Sequence, residues 1–206
     1  MRKWLALLTI CAMACVGVSA DVVYSNFGAG DSYDLSMAWT VTGPTHGALP
    51  EFDQAVALTP GADYFLDEVY VAMYNTGGTN QVDVMVTDDS SGVPGSILEQ
   101  TSVTAPGSAS VVQASFAGTT QLSSGQQYWL WLSTPTDGWN GWYFNNQSDT
   151  TLRASATDMG SGGGWTASTG SNRAAFRVEG TLVPEPGTFV LLLGLCLSFW
   201  MLRRQS

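Results

Sequence analysis

The chain has 206 residues, with seven Lys and Arg against 17 Asp and Glu, and a formal net charge of −10. This length fits one domain with short appendages, since domains run to about 100–200 residues. The acidic balance excludes a protein that binds the phosphate backbone of nucleic acids. His46 is the single histidine, which excludes a zinc site made of several histidines and a Ser-His-Asp triad elsewhere in the chain.

The first 20 residues have the three parts of a secretory signal peptide. They begin with the positive pair Arg2-Lys3, continue in an uncharged apolar run over 4–18, and end in the small residues Val18-Ser19-Ala20. A transmembrane anchor is the alternative, but the run is short of the ~20 residues that a span needs and lacks a stop-transfer cluster. We therefore predict export, with cleavage after Ala20 and a mature chain that begins at Asp21.

Residues 21–182 are predicted to form one β domain. Apolar and polar residues alternate, and no stretch keeps a helical period. In 81–87 the valines lie on one face, and in 68–74 Val69, Val71 and Met73 oppose Tyr70, Ala72 and Tyr74. The predicted strands, in chain order, are 22–27, 37–42, 53–59, 68–74, 81–87, 96–104, 110–117, 126–134, 140–146, 150–157 and a last strand around 176–179.

Turn signals separate these strands and suggest the fold class. Gly-rich or Asp/Ser-rich turns occur at 76–80, 88–95, 123–125 and 160–164. About ten short strands with non-local returns predict an all-β, antiparallel β-sandwich of the jelly-roll kind. The three cysteines lie at 11, 15 and 196, outside the domain, so no disulfide can hold it.

The middle of the domain resembles the choice-of-anchor R family. The resemblance spans roughly 65–145 and rests on Asp67-Glu68-Val69, on the loop 88–95 with its Pro94-Gly95, on Leu122-Ser123-Ser124-Gly125 before Tyr128-Trp129-Leu130, and on Gly138-Trp139-Asn140. It implies an extracellular β-sandwich with no established activity.

Aromatic residues are densest over 128–144. Trp129 and Trp131 share one face of their strand, which is either core or an open platform for sugar rings. Trp139 and Trp142 are expected in a loop and are the better candidates for exposed contact. These two tryptophans are our candidates for carbohydrate contact, with hydrogen bonds to sugar hydroxyls from the neighbouring Asp137 and Asn140.

Acidic residues cluster around the turn that follows residue 87. Asp83, Asp88 and Asp89 lie there, with Ser90 and Ser91 as further oxygen donors. Calcium takes six to eight oxygen ligands, often from such loops. The sequence therefore offers a weak structural calcium site, with solvated loop acids as the alternative. No other cofactor is expected.

No residues stand out as catalytic. A glycan hydrolase needs two carboxylates at a set separation, or a nucleophile with a base, and the Glu and Asp residues of the domain are scattered without such spacing. We predict that the protein is not an enzyme. A glycan hydrolase remains an alternative.

The C-terminal residues 183–206 read as a sorting segment. Pro184 and Pro186 end any preceding strand, residues 188–202 carry no charge, and Arg203-Arg204 follow. At 1.5 Å per residue the uncharged stretch is about 22 Å long, short for a hydrocarbon core of ~30 Å. We predict a transmembrane helix over about 187–202, with the arginine pair on the cytoplasmic side.

This segment resembles the PEP-CTERM sorting signal of Gram-negative bacteria. The resemblance rests on Val183 and the tripeptide Pro184-Glu185-Pro186, followed by the apolar stretch and the arginine pair 203–204, in that order. It implies recognition by an exosortase, a membrane enzyme that is thought to cleave at the tripeptide and pass the protein to the cell surface or an exopolysaccharide matrix.

Together these features predict an exported, non-enzymatic protein with a structural or adhesive role. Its expected partners are the exosortase and the membrane through the C-terminal helix, with extracellular polysaccharide as a further candidate and no nucleic acid. The alternative is a carbohydrate-binding module that uses exposed tryptophans.

Overall fold

The computed structural model describes residues 20–158 and 164–184. Within them the chain forms 13 β-strands and one short 3₁₀ turn at Ala29–Asp31. The strands are β1 Asp21–Ser25, β2 Asp34–Thr42, β3 Phe52–Leu58, β4 Tyr64–Gly77, β5 Gln81–Asp89, β6 Pro94–Thr104, β7 Ser110–Ser115, β8 Gln121–Leu122, β9 Tyr128–Ser133, β10 Trp139–Phe144, β11 Arg153–Thr157, β12 Trp165–Ser168 and β13 Phe176–Leu182. The prediction of an all-β, antiparallel domain is confirmed.

Every predicted strand has an observed counterpart, with ends that differ by a few residues. β4 extends from Tyr64 to Gly77 and is twice as long as predicted. Two short strands, β8 and β12, were not predicted. β8 has only two residues, too few for an alternating pattern, and β12 contains a single large apolar residue, Trp165.

The strands belong to one curled sheet, where the sequence predicted a sandwich of separate sheets. A first sector contains β1, β13, β4, β10 and β2, with β7 and β8 on the other edge of β4. A second sector contains β6, β5, β9 and β3, extended by β11 and β12. The Thr42–Phe52 pair of β2 and β3 joins the two sectors. The strands therefore form one continuous hydrogen-bonded sheet that bends back on itself, and not two separate sheets packed face to face.

The bend encloses the main core. Its side chains come from the inward faces of both sectors, among them Val69 and Val71 of β4, Val84 of β5 and Leu130 of β9. Burying a large aliphatic side chain is worth about 1.5–3 kcal/mol. This shared core therefore holds the sheet in its curled form without any disulfide.

A buried ion pair ties the sectors together at one end. Arg173 is 1% exposed and lies 3.0 Å from the Asp149 carboxylate. Its guanidinium also donates to the Tyr24 hydroxyl of β1 and to the Ala57 carbonyl of β3. Burial by itself would raise the pKa of Asp149, but the Tyr24 hydrogen bond and the Arg173 charge outweigh it and lower that pKa to about 2.

The predicted signal peptide and transmembrane helix lie almost wholly outside the described residues. Of the signal segment only Ala20 is described, and the helix over about 187–202 falls beyond Pro184. Among residues 20–158 and 164–184 there is no helix long and apolar enough to cross a membrane.

Candidate functional site

The predicted carbohydrate contact is divided between surface and core. Residues 139–144 form strand β10, not a loop, and β10 is paired on both edges, with β2 and β4. Its alternate side chains therefore point into the core. Trp142 is 0% exposed and donates its indole N–H to the Ala175 carbonyl, 2.9 Å away. The expectation of an exposed Trp142 is wrong.

The other three predicted contact residues are also separated. Asn140 is buried, and its amide is bonded to Thr134 and Asn75. Asp137 is exposed, but it accepts hydrogen bonds from the Thr79 amide and hydroxyl, which lower its pKa. Trp139 is 37% exposed, with its ring edge-on to His46. Only Trp139 and Asp137 are thus accessible.

The tryptophans of β9 lie on the outer face of the second sector, where Trp129 is fully buried and Trp131 is half-buried. We call Trp129, Trp131 and Trp165 the tryptophan cluster. The indoles pack on the small side chains of Ala55, Ala57 and Ala154. Trp131 and Trp165 meet edge to face, with ring centroids 5.2 Å apart. This face is a second small core, not an open platform.

The predicted calcium ligands are spread along β5 and the turn after it. Asp83 and Asp88 are five residues apart on an extended strand, a separation of about 17 Å. Asp83 accepts a hydrogen bond from the Ser102 hydroxyl, and Asp88 accepts one from the Ser96 amide, each at 2.5 Å. The structure therefore does not bring these ligands together.

Asp89, the third predicted calcium ligand, is bonded elsewhere. It accepts hydrogen bonds from the Trp129 indole at 2.8 Å and from the Gln127 amide at 2.6 Å. Within 20–158 and 164–184 no three His, Cys, Asp or Glu side chains are grouped so that they could hold a metal ion. Calcium binding stays a prediction.

The structure brings together an aromatic surface that the sequence did not indicate. Tyr33, Tyr143 and Tyr74 form a continuous row of partly exposed rings, which we call the tyrosine track. The ring centroids of Tyr74 and Tyr143 are 4.8 Å apart and nearly parallel, and those of Tyr143 and Tyr33 are 5.4 Å apart. The track lies on the outer face of the first sector, opposite the main core.

Strand pairing explains how the track forms. β10 and β4 pair with Gly141 directly across from Tyr74, and residues directly opposite in an antiparallel pair share a face of the sheet. Tyr143 is two residues from Gly141 and so lies on that face too. A Cβ atom at Gly141 would come within 2.1 Å of the Tyr74 ring. Glycine at 141 therefore makes room for the Tyr74 ring beside Tyr143.

At its Tyr33 end the track opens into a shallow cleft. The cleft has a volume of about 420 Å³ and is lined by Tyr33, Asp34, Leu35, Asn145, Asn146, Ser148 and Asn172. Ligand pockets are about 300–1,000 Å³ in volume, so this cleft is of a size that accommodates a small ligand or one end of a longer one.

The polar groups along this surface have defined protonation states. Burial raises the pKa of Tyr33 and Tyr143 above the ordinary tyrosine value, so both keep their O–H groups near neutral pH. Hydrogen bonds from the Ser36 hydroxyl and amide, at 2.6 and 2.8 Å, lower the pKa of Asp34. The surface thus offers neutral hydroxyl donors and one ionised acceptor.

The arginines of the domain are all engaged in internal contacts. Arg153 stacks over the Trp39 ring at 3.6 Å, and Arg173 forms the buried ion pair with Asp149. Arg177 pairs with Asp31 and Glu179 and covers the ring of Tyr70, a neighbour of the track. Residues 21–182 contain three arginines, no lysine and sixteen acidic residues, a net charge of −13.

Sequence reasoning missed the track because its members are far apart in the chain. The alternation in β4 did separate Tyr74 from the core valines, and that was the available signal. Tyr33 precedes β2 outside any predicted strand, and the partner of each ring depends on the strand order β4-β10-β2. That order is set by long-range pairing.

The end of the folded domain reaches the predicted sorting segment without a linker. β13 pairs with β1 on one side and β4 on the other. The Val183 amide donates to the Asp63 carbonyl at 2.9 Å. Asp21, the predicted mature start, lies directly across from Gly180. Of the six predicted sorting residues, Val183 and Pro184 are described, whereas Glu185, Pro186, Arg203 and Arg204 lie outside the described residues.

Comparison with known families matches residues 182–205 to the PEP-CTERM protein-sorting motif. The match confirms the predicted sorting signal and supports an exported protein that an exosortase, a membrane enzyme, processes for delivery outside the cell. No curated protein and no solved structure matches the chain. The resemblance to the choice-of-anchor R family stays a prediction.

Proposed function

We propose that this protein is a non-enzymatic structural or adhesive component of the cell surface or exopolysaccharide matrix. In this proposal the C-terminal helix holds the chain in the membrane until the exosortase acts on Pro184-Glu185-Pro186. The sorting motif over 182–205 is the observation that carries the proposal. The cleavage site after Ala20 and the surface destination are part of the same proposal.

The attachment of the motif to the fold supports a structural role. β13 runs between two strands, so a force applied at Pro184 acts on a strand held by backbone hydrogen bonds along both edges. The mature start at Asp21 lies beside Gly180 in the same sheet. Both membrane-directed segments therefore leave the domain from one region, close to the membrane surface during export.

Sorting is tested with the full chain in an exosortase-containing host. Glu185→Ala should leave the protein in the membrane fraction with its C-terminal segment intact, whereas the native chain should appear at the surface or in the matrix as a shorter product. Immunoblots of cell fractions and mass spectrometry of the C-terminus measure this.

The matched control for sorting is another acidic residue that lies far from the motif. Asp83→Ala should be delivered to the surface like the native chain, since Asp83 lies on β5 and its carboxylate accepts a hydrogen bond from Ser102. Surface delivery of Glu185→Ala at the native level would contradict the proposal.

Carbohydrate binding is the second candidate function. It is favoured by the partly exposed aromatic rings of the first sector that form the tyrosine track. A matrix protein that also binds polysaccharide would be held in the matrix after processing.

A further inference from the structure

We propose that the tyrosine track and its cleft bind a chain of neutral polysaccharide. This proposal rests on the proposed function, since delivery to a polysaccharide matrix would supply the ligand. It assigns the binding to residues other than the predicted Trp139 and Trp142. Three properties of the surface carry it: the stacked rings, the polar groups beside them and the charge around them.

The rings provide the apolar part of the contact. Aromatic side chains present large flat surfaces with little conformational freedom to lose, and their polar tips remain hydrated. Because Tyr74 and Tyr143 stack on each other and cover part of each other's faces, the apolar faces of sugar rings contact the parts of the three rings that stay exposed. The track presents three rings in a row, with centroid steps of 4.8 and 5.4 Å. A row suits an extended chain of sugar units better than a single small molecule.

The cleft provides the polar part. Ser148 and Asn172 are exposed at its lining, and amide and hydroxyl groups both donate and accept hydrogen bonds. The Asp34 carboxylate is ionised and retains lone pairs beyond those used by Ser36, so it can accept from sugar hydroxyls in charge-assisted bonds. Asn145 takes no part, because its amide is bonded to the Asp149 and Arg173 carbonyls.

The charge selects the class of polysaccharide. The domain carries a net charge of −13, and each arginine in the described residues is already paired with a carboxylate or stacked on an aromatic ring. A polymer rich in carboxylate or sulfate groups would meet repulsion with no cation to offset it. The surface therefore fits a neutral polysaccharide, and it disfavours an acidic one.

Binding is measured on the full chain in a detergent without a sugar headgroup, because alkyl glycosides would compete for the site. Affinity electrophoresis through gels that contain a soluble β-glucan, a mannan or a galactomannan gives dissociation constants, with alginate as the acidic control. We expect saturable retardation by at least one neutral polymer and none by alginate.

Variants assign the binding to the track. Tyr143→Ala should weaken binding about tenfold, the loss expected for one aromatic contact of about 1.4 kcal/mol. Gly141→Ala keeps every aromatic group but displaces the Tyr74 ring, and it should also weaken binding. Trp139→Ala, an exposed aromatic on the same strand, should bind as the native chain. Circular dichroism spectra identify any variant that fails to fold, and Tyr33→Ala, outside the strands, then replaces it.

Three results would overturn this proposal: no retardation by any neutral polymer, preferential retardation by alginate, or loss of binding in Trp139→Ala with Tyr143→Ala and Gly141→Ala unaffected. The binding assay is independent of localisation. A chain that binds but is not sorted refutes the proposed function alone, whereas a chain that is sorted but does not bind refutes the tyrosine track alone.

Discussion

The two outer faces of the curled sheet both carry aromatic residues, but they use them differently. On the second sector the tryptophan cluster is centred on Trp129, which is 0% exposed with its indole N–H bonded to Asp89, and Trp131 and Trp165 around it are half-buried. On the first sector the tyrosine track is partly exposed, with Tyr74 stacked on Tyr143 and Tyr33 tilted against Tyr143.

The difference comes from what lies beside each face. β11 and β12 extend the second sector past β3, and the curl brings Trp165 of β12 over Trp131 of β9. Alanines on β3 and β11 leave space for the indoles. The first sector has no such extension over Tyr74 and Tyr143 among the described residues. Aromatic density in a sequence therefore does not indicate which rings can reach a ligand.

The largest expected effect separates the two faces by stability. Trp129→Ala should lower the free energy of unfolding by about 3–5 kcal/mol, because it leaves a cavity in a closed cluster. Tyr33→Ala, the matched change on the track, should cost less, about 1–2 kcal/mol, because Tyr33 is only half-buried where it packs on Phe27. Urea unfolding followed by far-UV circular dichroism measures both, and equal losses would show that the track is as structural as the cluster.

A pH dependence should mark the tryptophan face. Asp53 is 1% exposed beside Trp131 and Ser133, and burial raises its pKa to about 6. Because this pKa lies above the unfolded value, the unfolded chain loses the proton first. The stability that protonated Asp53 contributes to the folded state is fully present below about pH 4. It is lost as the pH rises through 6 and the buried carboxyl ionises. A shift of about two pKa units corresponds to about 3 kcal/mol.

Asp53→Asn isolates this contribution. The variant should be more stable than the native protein at pH 7.5, with the difference shrinking toward pH 4. Asp149 should add no pH dependence of its own between pH 4 and 7.5, since its lowered pKa of about 2 keeps it ionised throughout this range. Thermal unfolding at several pH values tests this, and parallel curves for the two proteins would show that Asp53 does not titrate as expected.

The smallest expected effect concerns the hydrogen bond that closes the cluster. Asp89→Ala leaves the buried Trp129 N–H without its acceptor and should cost about 1–2 kcal/mol. Asp83→Ala on the same strand removes a bond to Ser102 at the surface and should cost about 0.5 kcal/mol or less. Urea unfolding compares the two, and a greater loss for Asp83→Ala would contradict this role of Asp89.

The strands were predictable because their signal is local. In β4 and β5 each valine alternates with a polar or aromatic neighbour, and this period of two holds whatever strands pair beside them. The candidate site was not predictable in the same way. Trp142 and Tyr143 are adjacent in β10, yet one is in the core and the other on the surface, and alternation alone does not tell which face is inside.

By itself the sequence determined the all-β class, the strand positions and the sorting motif at the C-terminus, since each depends on residues that are near in the chain. The tertiary structure decided which aromatic rings are covered, how Tyr33 meets Tyr143, and that Arg173 pairs with Asp149. These contacts depend on the order and curl of strands that are distant in sequence. The free energy that selects them comes from burial across the whole sheet.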